Sequence, residues 1–375
     1  MIKKIVIANI VALLMCINIS AQEKEKTINK TAQVTFAYPL GTDGVSSLNY
    51  KYNLSLNILY GLNGGLNGIE LAGILNYNKG EVDGIQLSGI SNICNNSVSG
   101  IITSGVLNFS RYNFDGIQIA GVANISGKQS SGFSIAGVSN ICTDATSGFV
   151  ISGVMNLAKS ESDGLQLSTI NIVADKFSGF QLGVINFAKT LDGLQIGVIN
   201  VSKNIEKGIP IGVISIVKNG YYAFEITGGD AIFANLNYKM GVERFYNIFK
   251  VGCSTFKGKP VYTYGMGFGS LISFSDKHKM SIDLSSNSIV YDNDWKNHWG
   301  SELNMLNKAD INYQLRINKN LWINAGPSFN VYLTKYKIDD EFGTLKVPYT
   351  IFEDENSKRK ISTWIGFNVG ISLKI

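Results

Sequence analysis

The densest group of side chains capable of chemistry lies between Asp292 and Trp299, in the sequence Asp-Asn-Asp-Trp-Lys-Asn-His-Trp. Asp292, Asp294 and His298 are possible metal ligands, but no second histidine or cysteine completes the four-ligand set that zinc prefers. His298 and Ser301 are close in sequence, as a hydrolase would need, yet no strained turn presents a nucleophilic serine. The cluster therefore predicts neither a metal site nor a catalytic site, and the chain is not expected to be an enzyme.

The two tryptophans of this cluster suit a membrane interface or stacking on a sugar. Binding groups are commonly carried by loops on a rigid scaffold, so we expect loops 293–300 and 337–360 to face the exterior and to hold whatever recognition exists. The candidate recognition residues are Trp295, His298, Trp299, Tyr349 and Phe352. No cofactor-binding residue is assigned.

Three cysteines follow the N-terminal segment, and Cys94 and Cys142 occupy equivalent positions of a repeated phrase, three units apart. In stacked repeats they would lie about 14 Å apart at the ~4.8 Å strand spacing, and in antiparallel strands they would fall at opposite strand ends. A disulfide needs Cα atoms within roughly 7 Å. With Cys253, the sequence predicts buried thiols and no disulfide.

The elements that position these residues are organised by a phrase repeated ten times between Gly68 and Val217. At 116–125 it reads Gly-Ile-Gln-Ile-Ala-Gly-Val-Ala-Asn-Ile, in which one set of alternate residues is apolar and the other mixes small, amide and aliphatic groups. This alternation is the period of a strand, and a fixed repeat indicates units that pack on their neighbours. The leading glycines, spaced by fourteen to sixteen residues, are Gly68, Gly84, Gly100, Gly116, Gly132, Gly148, Gly164, Gly179, Gly193 and Gly208.

Charged residues avoid the repeated phrases and gather in the connectors between them, with Glu70 as the one exception. Ten-residue segments free of charge suit a transmembrane β-strand, which needs ~9–11 residues at a tilt near 45°. We therefore favour an antiparallel transmembrane β-barrel for the repeats. The alternative is a parallel β-solenoid, in which the asparagines would stack as a ladder: Asn76, Asn92, Asn108, Asn124, Asn140 and Asn156.

Two details of the repeats favour the barrel. The residue before the leading glycine mostly alternates between Asp and Ser, as in Asp83, Ser99 and Asp115, which indicates that every second connector faces the same side. The later phrases lose one residue, which would flip the faces of a strand unless a bulge absorbs it. A stacked ladder is expected to tolerate this loss less well than a barrel wall.

The sequence after residue 220 independently predicts barrel strands. Alternation there is cleaner, tight turns at 275–277 and 318–320 contrast with the two long loops, and this asymmetry is typical of outer-membrane barrels. The eight expected strands are 222–229, 232–242, 245–256, 261–274, 278–292, 301–317, 321–336 and 361–375.

Residues 1–21 predict a secretory signal peptide, with Lys3 and Lys4, an apolar run from Ile5 to Ile17, and small residues before Gln22. The chain has 33 Lys and Arg against 28 Asp and Glu, so the part after the expected signal is nearly neutral. Basic patches of the kind that bind nucleic acid are missing. We expect an exported protein that does not bind nucleic acid.

The repeats resemble a family of Gram-negative surface-repeat proteins with the phrase Gly-[Phe/Ile]-Gln-[Leu/Ile]-[Ala/Ser]-Gly-[Val/Ile]-x-Asn. The resemblance covers about residues 33–217 and includes the entry phrase from Tyr38 to Thr42. It implies a surface location in a Gram-negative cell, but the family has no settled biochemical role.

Together these observations predict an all-β protein organised as a signal peptide (1–21), entry strands (22–67), ten repeats (68–217) and C-terminal barrel strands (218–375). The expected function is that of a non-enzymatic outer-membrane β-barrel, acting in passive transport or in surface recognition through its long loops. An exported solenoid adhesin or interaction protein, anchored by a small eight-strand barrel, is the alternative. The expected partners are outer-membrane lipid, the barrel-assembly machinery and a surface ligand.

Overall fold

The computed structural model describes residues 28–292, 303–338 and 340–375. These residues form two large β-sheets of opposite kind, a parallel one over 28–217 and an antiparallel one over 221–374. Within the described ranges, no helix is long and apolar enough to cross a bilayer. The fold is all-β, as the sequence predicts.

The repeats form a parallel β-solenoid, and this corrects the prediction that they form antiparallel barrel strands. Gly84, Gly100, Gly116 and Gly132 are paired in register on consecutive rungs, and so are the asparagines of the repeats. Each coil of the early repeats contains one long and one short strand, and each strand pairs with its equivalent in the next coil. The alternative architecture predicted from the sequence is the one that forms.

The solenoid begins with two entry rungs, β1 (Ile28–Ala37) and β3 (Tyr50–Asn63), which are joined by β2 (Leu40–Gly41) and a 3-10 helix (Gly44–Asn49). Long and short strands then alternate: β4 (Gly65–Ala72), β5 (Leu75–Asn78), β6 (Val82–Ser88), β7 (Ser91–Cys94), β8 (Val98–Ser104), β9 (Leu107–Ser110), β10 (Phe114–Ala120), β11 (Ala123–Ser126), β12 (Ser130–Ala136), β13 (Ser139–Cys142), β14 (Thr146–Ser152), β15 (Met155–Ala158) and β16 (Ser162–Leu167). In the last coils the strands run into one another: β17 (Ile170–Leu182), β18 (Ile185–Leu191), β19 (Leu194–Ile205) and β20 (Ile209–Val217).

The shorter repeats do not disturb the stack, because the missing residues fall where the chain bends. Asn156 pairs with Asn171, and Gln166 with Gln181, although one residue is lost between the strands of that coil. The next loss is absorbed by a register shift between Val173 and Lys176, in the connector. Deletions in a bend leave the pattern of each strand intact, so the argument from repeat length does not favour a barrel.

The alternation of Asp and Ser before the leading glycines also has a cause in the stack. Asp115 lies between Ser99 and Ser131 on neighbouring rungs, and the Ser131 hydroxyl donates a hydrogen bond to the Asp115 carboxylate. Two carboxylates on adjacent rungs would lie only about 4.8 Å apart and would repel each other. The alternation therefore separates like charges along one edge.

The interior of the solenoid combines rows of polar side chains with buried apolar clusters, and its outer surface presents many apolar side chains. In the coil that begins at Gly116, Gln118 and Asn124 are buried while Ile119 and Val122 are about 40% exposed (39% and 42%). The charged connectors form one edge of the stack, which we call the charged edge. The opposite edge, between the long and the short strand of each coil, carries Gly-Ile or Gly-Val pairs such as Gly121-Val122, and we call it the glycine edge.

The first eight leading glycines, from Gly68 to Gly179, are required by both backbone angle and space. Gly116 has a φ of +130°, which L side chains rarely adopt. A Cβ added there would lie 2.0 Å from the carbonyl oxygen of Gly100 on the previous rung. The sixteen-residue glycine signal is therefore a product of close backbone stacking.

The stack predicts that equivalent connectors lie on one side of the protein. Single cysteines at Ser97, Asn113, Gln129 and Ala145, in a background without native cysteines, are expected to react alike with an impermeant thiol reagent on intact cells. The reason is that parallel coils return each connector to the charged edge. An alternating pattern of labelling would contradict the solenoid.

The C-terminal sheet is a closed eight-strand antiparallel barrel, in agreement with the strands expected from the sequence. The strands are β21 (Tyr221–Gly229), β22 (Ala234–Val242), β23 (Phe245–Phe256), β24 (Lys259–Ser273), β25 (His278–Tyr291), β26 (Asn304–Arg316), β27 (Leu321–Thr334) and β31 (Arg359–Lys374). Each strand pairs with the next, and pairing of β21 with β31 closes the barrel.

The two barrel ends differ in their connections. The end that holds Tyr221 and the turns 243–244, 274–277 and 317–320 is called the turn end, and the other is called the loop end. The segment expected to be one long loop, 337–360, contains three short strands, β28 (Lys337–Ile338), β29 (Glu341–Phe342) and β30 (Phe352–Asn356). β30 pairs with the start of β31, so part of this segment continues the barrel wall.

Candidate functional site

The recognition residues expected from the sequence fall in two groups. Trp295, His298 and Trp299 lie outside the residues that the structure describes. Tyr349 and Phe352 are 52% and 57% exposed, and the Tyr349 hydroxyl donates to the carbonyl oxygen of Ile365 on β31. The two aromatic rings therefore lie along the outside of the barrel at its loop end, where interfacial aromatic residues of membrane barrels also occur. A role in recognition stays a prediction.

The loop end of the barrel is filled by apolar side chains. Leu345, from the segment between β29 and β30, packs in one cluster with Tyr332 and Trp364. The neighbouring Thr344 is fully buried, and its backbone N–H donates to the Tyr332 hydroxyl at 2.8 Å. The segment after β29 thus closes the barrel from inside.

A layer of charged side chains crosses the middle of the barrel, and we call it the charged layer. The ammonium group of Lys239 lies 3.0 Å from the carboxylate of Glu225 and 2.8 Å from that of Asp283, and all three side chains are almost completely buried. A second group sets Lys250 at 3.7 Å and Lys308 at 3.4 Å from the carboxylate of Asp310.

Neutral side chains complete the bonding of the charged layer. Glu225 accepts hydrogen bonds from Asn237 at 3.0 Å, Asn324 at 2.9 Å and Ser372 at 2.7 Å. The cavity between these groups has a volume of about 10 Å³. That is close to the minimum needed for one water molecule, so the charged layer fills the barrel instead of lining a wide channel.

The sequence did not single out the charged layer. The expectation that charges gather in connectors concerned the repeats alone, and no role was assigned to Glu225, Lys239, Lys250 or Asp283, which lie within barrel strands and point inward. The available signal was their position on the polar side of each alternating strand. It identifies side chains that face the interior, but not which charges pair across it.

The interior of the solenoid contains an asparagine ladder. Each asparagine except the last donates from its side-chain N–H group to the side-chain oxygen of the asparagine on the next rung, at 2.9–3.0 Å. From Asn76 onward, each also donates to a backbone carbonyl of that rung, at 2.8–3.1 Å. The ladder consists of Asn57, Asn76, Asn92, Asn108, Asn124, Asn140, Asn156, Asn171, Asn186 and Asn200.

Glu70, the charge that the sequence marked as an exception, lies in this interior and is fully buried. No basic side chain among the described residues forms an ion pair with it, and burial raises the pKa of its carboxyl group despite the hydrogen bonds. Five neutral side chains donate to it: Ser55 at 3.3 Å, Asn57 at 3.1 Å, Asn63 at 2.5 Å, Asn78 at 2.6 Å and Gln86 at 2.6 Å.

The raised pKa of Glu70 predicts that the first coils are more stable in acid. Below its ordinary pKa near 4.5, the Glu70 carboxyl is protonated in both the folded and the unfolded state, so at such a pH its ionisation costs the folded state nothing and stability is at its highest. As the pH rises towards the raised pKa, the unfolded state ionises first, and stability should fall by up to about 1.4 kcal/mol per pH unit. Hydrogen exchange of peptides covering 65–95 in the full-length chain measures this fall, and Glu70→Gln should remove it. If protection from hydrogen exchange changed with pH in the same way in the unchanged protein and in Glu70→Gln, the effect could not come from Glu70.

The cysteines are only partly as expected. Cys94 and Cys142 are buried and free, and burial raises the pKa of the Cys94 thiol to about 12 and that of Cys142 to about 11. Cys253 is also free but is exposed on β23, so the prediction of a buried thiol is wrong there. Its position on the outward side of a barrel strand explains the difference.

Comparisons with known proteins add little to this geometry. No protein-family model matches the chain, and no curated protein matches its sequence. Among solved structures, it is similar to the outer membrane protein Ail of Yersinia pestis, determined as a backbone structure in a phospholipid bilayer nanodisc. The match has 12% identity and a TM-score of 0.25, and it covers 42% of this chain and 100% of that one. At this level the likeness carries no argument about function.

Proposed function

We propose that the protein is a non-enzymatic outer-membrane protein, in which the eight-strand barrel spans the bilayer and anchors the solenoid. The observation that carries the proposal is the outward surface of the barrel, where every strand presents exposed apolar side chains. Examples on opposite parts of the wall are Phe224, Val251, Leu284 and Val369, each 44–56% exposed. Charges face inward in the charged layer, which is the arrangement a bilayer favours.

The dimensions of the barrel agree with this proposal. Its eight strands are 9 to 16 residues long, and a tilted strand of ~9–11 residues crosses the hydrocarbon core. The filled interior gives no support to passive transport, so we propose an anchor and not a pore. Outer-membrane lipid and the barrel-assembly machinery are the partners that such an anchor implies, and a surface ligand of the loop end remains part of the proposal.

The proposal predicts that a lysine on the outer wall of the barrel lowers the free energy of unfolding by an amount that depends on its depth in the bilayer. Val251→Lys, near the middle of β23, should lower the free energy of unfolding in lipid vesicles by about 2–4 kcal/mol, and Phe274→Lys, at a turn, by about 0–1 kcal/mol. A wall exposed to water would tolerate both within about 0.5 kcal/mol. Urea unfolding followed by tryptophan fluorescence measures the difference.

The cellular location is tested by fractionation of the full-length chain. Outer membranes washed with carbonate should retain the protein, and unheated samples should migrate differently from heated ones in SDS gels. Release into the soluble fraction would refute the membrane anchor, whatever the outcome of the lysine variants.

A further inference from the structure

The solenoid has a large exposed apolar surface that the anchor role does not use. Between Leu54 and Ile216, leaving out Tyr112, 24 large hydrophobic side chains are at least 36% exposed. At roughly 60 Å² each they present on the order of 1,500 Å², whereas the largest patch on a typical soluble monomer is about 300–600 Å². A surface of this size needs a partner.

The apolar surface is centred on the glycine edge. Nine side chains form a stripe along it, each 40–49% exposed: Ile74, Ile90, Val106, Val122, Val138, Val154, Val184, Val198 and Val213. Only Thr169 interrupts the stripe, which runs for about 43 Å at the ~4.8 Å spacing of rungs. Between residues 71 and 217 every charged residue lies at or beside the charged edge. The solenoid is therefore amphipathic across its width.

The backbone N–H groups at the bends of the glycine edge donate their hydrogen bonds within the protein. The N–H of Val122 donates to the carbonyl of Val106 at 3.1 Å, and the N–H of Val138 donates to that of Val122 at 3.0 Å. The adjacent Gly121 N–H donates to the carbonyl of Ser104 at 3.2 Å. Non-helical backbone enters hydrocarbon only when its polar groups are bonded within the protein, and the N–H groups of these bends meet that condition.

The glycine edge is continuous with the outer wall of the barrel. The side-chain N–H of Asn247, which points outward from β23, donates to the carbonyl of Gly212, at the end of the stripe. The outward-facing Met240 is 9% exposed, although its position on the wall would otherwise face lipid. The open side of the last coil thus rests on the barrel wall, and the stripe leads away from it.

We propose that the glycine edge, with the flanking outer faces, inserts into the leaflet on the turn-end side of the bilayer that holds the barrel, and that the charged edge faces water. This inference rests on the proposed function. Lipid is favoured over a second copy of the chain because the stripe is apolar except at Thr169, has no charged residue that would fix a register, and joins the lipid-facing wall.

The test is the environment of single spin labels on the full-length protein in nanodiscs of phosphatidylcholine and phosphatidylglycerol. In a background with Cys94, Cys142 and Cys253 replaced, labels are placed at Val122→Cys and Val154→Cys on the glycine edge. Asn113→Cys and Gln129→Cys are the matched sites on the charged edge. Val369→Cys reports the barrel wall.

The glycine-edge labels should be as accessible to oxygen, and as inaccessible to a water-soluble nickel chelate, as the Val369 label. The charged-edge labels should be accessible to the nickel chelate and less accessible to oxygen. Nickel access at the glycine edge together with a lipid-exposed Val369 label would overturn the inference and leave the anchor intact. A glycine edge closed to both reagents, with broadening that rises with protein concentration, would show a second copy and also overturn it. Nickel access at Val369 would instead refute the proposed anchor.

Discussion

Replacing Lys239 by methionine is expected to lower the free energy of unfolding of the barrel by about 3–5 kcal/mol. The ammonium group of Lys239 is the shared partner of the buried Glu225 and Asp283 carboxylates. Methionine fills similar space but leaves two negative charges in the barrel without a cation. The cost comes from those uncompensated charges, since the net value of an intact buried pair is small.

The measurement is urea unfolding of the full-length chain in micelles, followed by tryptophan fluorescence. All four tryptophans lie between residues 295 and 364, so the signal reports the C-terminal part of the chain and not the solenoid. Lys259→Met is the matched control, because its ion pair with Asp292 is exposed and should be worth less than about 1 kcal/mol. Adding Glu225→Gln and Asp283→Asn to the Lys239 variant should recover most of the loss. Equal effects of the two Lys→Met substitutions would contradict this account.

Substitution of Asn124 by aspartate is expected to open the middle of the solenoid, with a local loss of about 3–5 kcal/mol. The Asn124 side chain donates to Asn140 at 2.9 Å and to the carbonyl of Ile135 at 2.8 Å. A carboxylate cannot donate, so it would face two acceptors at a position that is 1% exposed.

Hydrogen exchange of peptides covering 116–142 measures this loss, because a change of 1.4 kcal/mol in local opening is about tenfold in protection. Asn113→Asp is the matched control, since Asn113 is exposed on the charged edge and its substitution should leave protection unchanged. Acidification should restore part of the protection by protonating the new carboxyl. Unchanged protection in Asn124→Asp would mean that the ladder contributes little to the stack.

The positions of the strands could be predicted well from the sequence. The repeats, however, were expected in an antiparallel barrel and form a parallel solenoid, and this difference has a physical reason. Alternation in a phrase such as 116–125 shows which residues share a face within one strand, but it shows neither which face points inward nor the bend that leaves Val122 exposed while Gln118 and Asn124 are buried. A transmembrane barrel and this solenoid both place Gln118 inside and Ile119 outside, so the same pattern fits both. What distinguishes them is pairing between strands, which depends on bends that a repeat length does not reveal.

Only the periodic parts of the candidate site could be located from the sequence. The asparagine ladder and the exception at Glu70 were visible as periodic positions, and their places in the fold follow from the period. The charged layer of the barrel, in contrast, depends on contacts such as that between Lys239 and Asp283, which are 44 residues apart. Such pairs are set by the closure of the barrel, and no local pattern specifies them.

The identical register of the sixteen-residue coils has a consequence for how the protein can change in length. Ile117 meets Ile101 on one side and Phe133 on the other, and Gly116 meets only glycines, so this coil could be removed as a whole and its neighbours would still match. The contacts that close the two ends of the solenoid do not depend on the number of coils, because β2 pairs with the first rung and the barrel wall covers the last. The length of the solenoid can therefore change in steps of about 4.8 Å, the spacing of one rung, when one repeat is duplicated or deleted during evolution.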